Sequence, residues 1–218
     1  MMGKIISFTC AKGQHTGEER GTNMYRELVD NLRRNPANNY SINEAERLAG
    51  QVLEISEHEV GSTPIVRIAN SIGFATLKEK NMPKDISGNI FVGGTTKEIY
   101  GVNEVIVVDE DEEYAHQRFI IAHELGHYLM DYLGSEDSRN PGILFSRAYL
   151  KSNHDSEEEI RADRFAAELL MPTKLFRRLY LRAMDASDDD LGYTISFLAK
   201  YFKTKRSSIE RRICEVIY

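Results

Sequence analysis

Residues 118–133 read RFIIAHELGHYLMDYL, an apolar stretch that also contains two histidines, a glutamate and a glycine. In an α-helix, residues i and i+4 lie on one face, so His123 and His127 would present two imidazole nitrogens to a single metal ion. Glu124 lies beside them, offset enough to miss the ion but able to reach a water molecule bound to it. The spacing is therefore suited to a metal ion with an adjacent general base.

These residues match the HExxH pattern of zinc hydrolases. The flanking apolar residues predict a buried helix, in which unpaired polar groups would be costly. A glycine inside a helix costs about 1 kcal/mol relative to alanine, so Gly126 calls for a packing reason. We therefore expect a second helix to approach the HELGH helix closely at Gly126.

Two histidines need a third ligand, and the best source is SEEEIRADRFAAELLMP, residues 156–172. This segment predicts a helix whose alanines permit close contact with another backbone. Helical register alone does not separate Glu158 from Glu159 as the ligand. Asp163 favours Glu159, because it lies at i+4 from Glu159 and could accept a hydrogen bond from a ligand histidine. Glu157 is better explained as an acidic residue that stabilises the helix N-terminus.

Composition excludes several classes of protein. The chain has 218 residues, of which 41% are hydrophobic and 28% are charged, as in ordinary globular proteins. Its net charge of -6 argues against a protein that mainly coats nucleic acid. The two cysteines, Cys10 and Cys214, form no CxxC pair, and no apolar run is long enough to span a bilayer. We expect a cytoplasmic protein without a membrane partner.

Hydrophobic periodicity predicts three helices, then three strands, then helices to residue 218. The first helices are expected over residues 23–34, 41–55 and 63–73, and Ser41 and Glu44 have the spacing of a capping box. Short β-branched or aromatic runs predict strands over residues 74–80, 88–93 and 103–110. This order predicts an α+β fold with a small, mostly antiparallel sheet.

The segments RFIIAHELGHYLM and EIRADRFAAELLMP together resemble the ImmA/IrrE family of zinc metallopeptidases. The upstream segments PIVRIANSIGF, ISGNIFV and VIVVDE are similar to the helix and two strands that precede the zinc helix in that family. The resemblance covers about residues 62–172, with a looser match in the C-terminal helices. Residues 1–60 match no family feature.

The resemblance implies a gluzincin-like core in which zinc is held by His123, His127 and Glu159, with Glu124 as catalytic base. It also implies cleavage of a helix-turn-helix repressor, in a mobile element or a stress response. We accordingly expect an N-terminal helical extension over residues 1–60, a zinc peptidase core over 61–172 and a C-terminal helical segment over 173–218.

The C-terminal segment ISFLAKYFKTKRSSIERRICEVI raises a second hypothesis. It predicts two amphipathic helices around KTKR, the second capped by Ser207 or Ser208, and resembles a helix-turn-helix. Residues 191–218 contain six Lys/Arg and two Glu, a net charge of +4. The pair could read DNA in a regulator with a structural zinc site, pack on the core with a solvated basic face, or dock a substrate. Glu124 favours a peptidase, because a structural zinc site needs no base and normally closes with a fourth protein ligand.

Three features stay open at this level. The HExxH pattern alone does not exclude a hydrolase of non-protein substrates, although the family resemblance argues against one. Tyr149, His154, Tyr180 and Tyr193 are candidate donors to the oxyanion of the transition state, and the sequence selects none of them. An extended peptide substrate could pair with an edge strand, for which residues 88–93 or 103–108 are candidates.

Overall fold

The computed structural model describes residues 6–7, 15–36, 40–58, 60–140, 142, 144–150 and 156–218, and shows an α+β fold. The helices that precede the core of the sheet are α1 (His15–Arg34), α2 (Ile42–Ser56) and α3 (Ile65–Ile72). The expected capping box opens α2, since Ser41 and Glu44 each accept a hydrogen bond from the other's backbone N–H. Helix α3 ends at Gly73, whose φ of 132° favours glycine. Helix α1 begins well before residue 23, where we expected its start.

Within these residues the sheet has five strands: β1 (Ile6–Ser7), β2 (Ala75–Glu79), β3 (Ile86–Val92), β4 (Glu104–Asp109) and β5 (Phe145–Leu150). A short helix, α4 (Thr96–Tyr100), connects β3 to β4. The strand order is β1-β2-β4-β3-β5. The β2–β4 pair is parallel and the other pairs are antiparallel, which agrees with the expected mostly antiparallel sheet.

Strand β5 corrects two expectations. The prediction of helix throughout the chain after Asp109 is wrong, because residues 145–150 pair with β3. The sequence FSRAYL has two aromatic residues but no β-branched one, and its burial does not alternate, so its local strand signal is weak. The prediction that residues 88–93 or 103–108 offer a free edge is also wrong, because β3 and β4 both lie inside the sheet.

The second half of the chain is mainly helical. Helix α5 (Tyr114–His127) continues as a π-helix over Tyr128–Tyr132, and a short 3-10 helix follows at Asp137–Arg139. The remaining helices are α6 (Glu157–Leu170), α7 (Thr173–Ala186), α8 (Leu191–Phe202) and α9 (Arg206–Val216). The prediction that Ser207 or Ser208 caps the last helix is wrong. Lys205 has an extended backbone (φ -66°, ψ 149°), so the helix begins immediately after it.

Helix α5 lies at the centre of the packing. It contacts α3, β3, β4 and α6, and α2 packs against α6. One hydrophobic core includes residues from Tyr25 in α1 to Val216 in α9. The division into three segments at residues 60 and 172 stays a prediction. None of the helices in the described ranges is both long and apolar enough to cross a membrane.

Gly88 in β3 sets how closely α5 approaches the sheet. A Cβ atom at this position would overlap Cγ2 of Ile120 in α5 and lie 3.1 Å from the carbonyl oxygen of Val107. Gly50 in α2 offers a contrast, because a Cβ atom there would meet nothing within 4 Å. The two glycines therefore have different consequences for stability.

Gly88→Ala should lower the free energy of unfolding by about 1–3 kcal/mol, because α5 or β3 must shift to accommodate the methyl group. Gly50→Ala is the matched control and should raise it by about 1 kcal/mol, because alanine is the better helix former. Urea unfolding of the metal-free proteins, followed by circular dichroism, measures both changes. Equal stability of the Gly88→Ala variant and the unsubstituted protein would contradict the packing argument.

Candidate metal centre

The two histidines of the HELGH segment lie on one face of α5, one turn apart. Both are buried, and their Nε2 atoms are 2.9 Å apart. Helix α5 is covered by the sheet, α3 and α6, and both histidine side chains are almost fully shielded from solvent. The helix therefore positions two nitrogen ligands toward a common point.

Helix α6 supplies a third candidate ligand. Glu159 Oε2 lies 3.1 Å from His123 Nε2, and Glu159 Oε1 lies 3.4 Å from His127 Nε2. In a tetrahedral zinc site with bonds of about 2.0–2.2 Å, neighbouring ligand atoms are separated by about 3.3 Å. The observed separations are close to this value, and one ligand atom from each of the three residues fits within 4.8 Å of the others. The group is therefore compact enough to hold one metal ion.

The approach of α6 depends on Gly126. A Cβ atom at Gly126 would lie 3.1 Å from the ring of Phe165 and 3.4 Å from the Cα atom of Ala162. Both of these residues are on α6, so the expectation of a closely packed second helix is confirmed. The glycine allows the two ligand-bearing helices to contact each other next to the metal centre.

Each histidine is also bound on its outer nitrogen. His123 Nδ1 lies 3.0 Å from Asp163 Oδ1, and His127 Nδ1 lies 2.6 Å from Asp131 Oδ2. When the Nδ1 atoms donate to these carboxylates, both Nε2 atoms carry lone pairs. Two nitrogen lone pairs and the Glu159 carboxylate then converge on one point. Such an arrangement favours positive charge at its centre.

The pKa values of His123 and Glu159 agree with a preference for positive charge at this centre. Burial lowers the pKa of His123, but hydrogen bonds to Asp163 and Glu159 outweigh it and raise the pKa to about 9. Burial raises the pKa of Glu159, but hydrogen bonds from His123, His127 and Arg147 outweigh it and hold the pKa well below its usual range. The centre thus binds a cation strongly, whether a proton or a metal ion.

Glu124 lies beside the histidines with neither carboxylate oxygen hydrogen-bonded. Its side chain is fully buried, and burial raises its pKa. A buried carboxylate without a donor is costly unless a further molecule satisfies it. A water molecule bound to a metal ion between the histidines and Glu159 would supply that donor. The residues present therefore fit a metal ion that keeps one position open for water.

The side chain of Arg147, on β5, lies at the same centre. It donates to Glu159 Oε1 at 2.5 Å and to Glu158 Oε2 at 3.2 Å. Glu158 is exposed, so Glu159 is the glutamate that faces the histidines. Sequence reasoning missed Arg147, because β5 was not recognised as a strand. It also missed Asp131, although its i+4 spacing from His127 was a detectable signal.

Among the three candidate oxyanion donors that the structure describes, Tyr149 is the one beside His123. Its ring is buried and stands edge-on to the His123 ring, with 4.8 Å between their centroids. Burial and the nearby carboxylates of Asp163 and Glu159 raise the pKa of Tyr149, so the phenol keeps its O–H donor. Tyr180 lies in the hydrophobic core and Tyr193 is exposed on α8. His154 lies outside the described residues.

A sequence model of the Peptidase_M78 family, described as the IrrE N-terminal-like domain, matches residues 69–213, from α3 into α9. No curated protein matches the chain. A solved structure of a Mycobacterium tuberculosis transcriptional regulator is similar, with 17% identity and a TM-score of 0.48. The match covers 87% of this chain and 51% of that one, so this chain spans about half of its length.

The geometry predicts which glutamate holds the metal. Glu159→Ala should purify with little bound zinc, because one of three ligands is lost. Asp163→Ala should bind zinc about 10–100-fold more weakly, because His123 loses the partner that orients it. Glu158→Ala is the matched control and should retain zinc, which can be measured by mass spectrometry of the metal. Loss of zinc from the Glu158→Ala variant alone would refute this assignment.

Proposed function

The chain belongs to the Peptidase_M78 family, and from this membership we propose that it is a zinc-dependent endopeptidase. The observation that carries the proposal is the buried, unpartnered carboxylate of Glu124 beside three converging ligand atoms. A purely structural metal site has no use for such a carboxylate, whereas a hydrolytic site needs a general base at this position.

The ligand types favour zinc. Two imidazole nitrogens and one carboxylate, with one position open, are typical of catalytic zinc sites. His123, His127 and Glu159 would hold the ion. When bound, zinc polarises the peptide carbonyl and lowers the pKa of a water molecule to about 7.

The roles of the surrounding residues follow from their positions. Glu124 takes the proton of the attacking water and delivers it to the nitrogen of the leaving amine. Asp163 and Asp131 accept hydrogen bonds from the Nδ1 atoms of the two histidines and so hold both rings with their Nε2 atoms inward. Tyr149 donates a hydrogen bond to the carbonyl oxygen as that oxygen gains negative charge.

Strand β5 is the element best placed to align a peptide. It is the last strand of the described sheet on its side, and it contributes both Arg147 and Tyr149 to the centre. An extended substrate would add to β5 through backbone hydrogen bonds, which bind peptides with little regard to side chains. Specificity must then come from contacts elsewhere.

The substrate we propose is a helix-turn-helix repressor of a mobile element or stress response, cleaved in the cytoplasm. The support is the family resemblance of the HELGH and ADRFAAELLMP segments. The alternative is a regulator that reads DNA through α8 and α9. These helices expose less unpaired positive charge than the sequence alone indicates. Arg212 is 1% exposed, and Arg211 pairs with Asp163 and Glu215.

Glu124→Gln tests the proposal directly. The variant should bind zinc as the unsubstituted protein does, because Glu124 is not a ligand, and lose at least about 10²–10⁴-fold in cleavage rate. We would induce each protein in cells and identify newly formed protein N-termini by mass spectrometry. A small set of new N-termini within a repressor, present only with the unsubstituted protein, is expected. Identical N-termini with the Glu124→Gln variant would refute the peptidase assignment.

Tyr149→Phe tests the oxyanion donor on the substrate found in that experiment. Removal of the hydroxyl should lower kcat about 10²–10³-fold and leave KM nearly unchanged, because the hydrogen bond strengthens only in the transition state. Bound zinc serves as the control and should not change. An unaltered kcat would exclude Tyr149 from this role.

A further inference from the structure

A cleft of about 370 Å³ opens beside the metal centre, between the first half of α5, β5, α6 and α9. On the basis of the proposed peptidase function, we propose that this cleft receives a substrate side chain next to the cleaved bond. We further propose that Lys205 on its α9 wall selects an acidic side chain. Lys205 would thus determine specificity.

The cleft is separated from His123, one of the proposed metal ligands, by a single layer of side chains. Three of its lining residues contact or neighbour that histidine. Asp163 accepts from its Nδ1 at 3.0 Å, and the rings of Tyr149 and Phe119 lie with centroids 4.8 Å and 6.2 Å from its ring centroid. In the proposed complex the peptide carbonyl lies at the metal centre, and a neighbouring side chain enters this adjoining cleft.

The shape of the cleft fits a side chain with an apolar stem. Its volume falls within the range of about 300–1,000 Å³ that is usual for ligand pockets. The walls from α5 and α6 include apolar groups, among them Ala115, Phe119 and Ala167. The α9 wall instead presents polar side chains, Lys205, Ser207 and Ser208. A side chain with methylene groups and a charged end would match both walls.

The charges around the cleft favour an anion. Its lining includes four lysine or arginine residues and two acidic residues, Asp163 and Glu215. The three arginines pair with these acids: Arg164 with Glu215 at 2.7 Å, Arg212 with Glu215 at 3.4 Å and Arg211 with Asp163 at 3.5 Å. Lys205 forms no ion pair with any residue that the structure describes. Among the cations that line the cleft in the described part of the chain, its ammonium group is therefore the one without an acidic partner.

The α9 wall is fixed to the core before any substrate binds. Arg212 is buried and donates to the backbone oxygen of Met171 at 3.2 Å and to Thr173 Oγ1 at 2.9 Å, and it also pairs with Glu168. These contacts join α9 to the end of α6 and the start of α7. A wall held in this way loses little conformational entropy on binding, which favours selective recognition.

Binding of short peptides tests the proposal without relying on catalysis. The probes are three alanine-rich hexapeptides with a neutral dye, identical except for one central residue that is Glu, Gln or Lys. Fluorescence anisotropy measures their affinity for the full chain carrying Glu124→Gln and loaded with zinc, at physiological salt. The Glu peptide should bind about tenfold more tightly than the Gln peptide, because it gains one charge-assisted hydrogen bond. The Lys peptide should bind most weakly.

Substitution of Lys205 identifies the source of the preference. Lys205→Glu should abolish or invert the preference for the Glu peptide. Lys205→Met removes the charge without reversing it and should bring the three affinities to near equality. It also replaces Lys205→Glu if that variant does not fold. Lys203→Glu is the matched control: this residue is exposed, two positions away and outside the cleft, and the preference should persist. Equal binding of the three peptides, no detectable binding, or a preference that survives both Lys205 substitutions overturns the inference. Failure of the proposed peptidase function would appear separately, as absence of cleavage by the protein that retains Glu124.

Discussion

Helices α5 and α6 touch where Gly126 faces Phe165 and the backbone of Ala162. This contact brings Glu159 to the two histidines, which lie on the other helix. The surrounding elements support this contact: α2 packs against α6, the sheet packs against α5, and Gly88 lets α5 lie close to β3. Because a close-packed interior resists local displacement, the relative positions of His123, His127 and Glu159 depend on the packing of the whole core.

Two successive sets of charged side chains surround the centre. Each proposed ligand contacts a group of opposite or complementary character: His123 contacts Asp163, His127 contacts Asp131 and Glu159 contacts Arg147. The two aspartates are in turn within 3.5 Å of arginines, Arg211 for Asp163 and Arg161 for Asp131. Ligands restrained in this manner lose little freedom when an ion binds, so more of the binding free energy appears as affinity.

The sequence predicted those parts of the molecule whose causes are local. The i,i+4 spacing of His123 and His127, the capping box of α2 and the β-branched run of β4 are each contained within a few residues. Strand β5 could not be predicted in this way, because its extended form depends on pairing with β3, more than fifty residues earlier. Arg147 was missed with it. The contact of Arg211 with Asp163 is likewise long-range and has no sequence signature.

The attachment of α9 by Arg212 has a consequence for biosynthesis. A ribosome completes both ligand helices, α5 and α6, before it reaches the residues that form the far wall of the cleft. During that interval α9 is still missing, and with it Arg211, which lies 3.5 Å from Asp163, the partner of His123. The attachment of α9, when Arg212 reaches Glu168 and the backbone of Met171, therefore completes the surroundings of His123 and the cleft together. Synthesis through α9 is thus needed before either the proposed metal centre or the proposed cleft has all of its described neighbours.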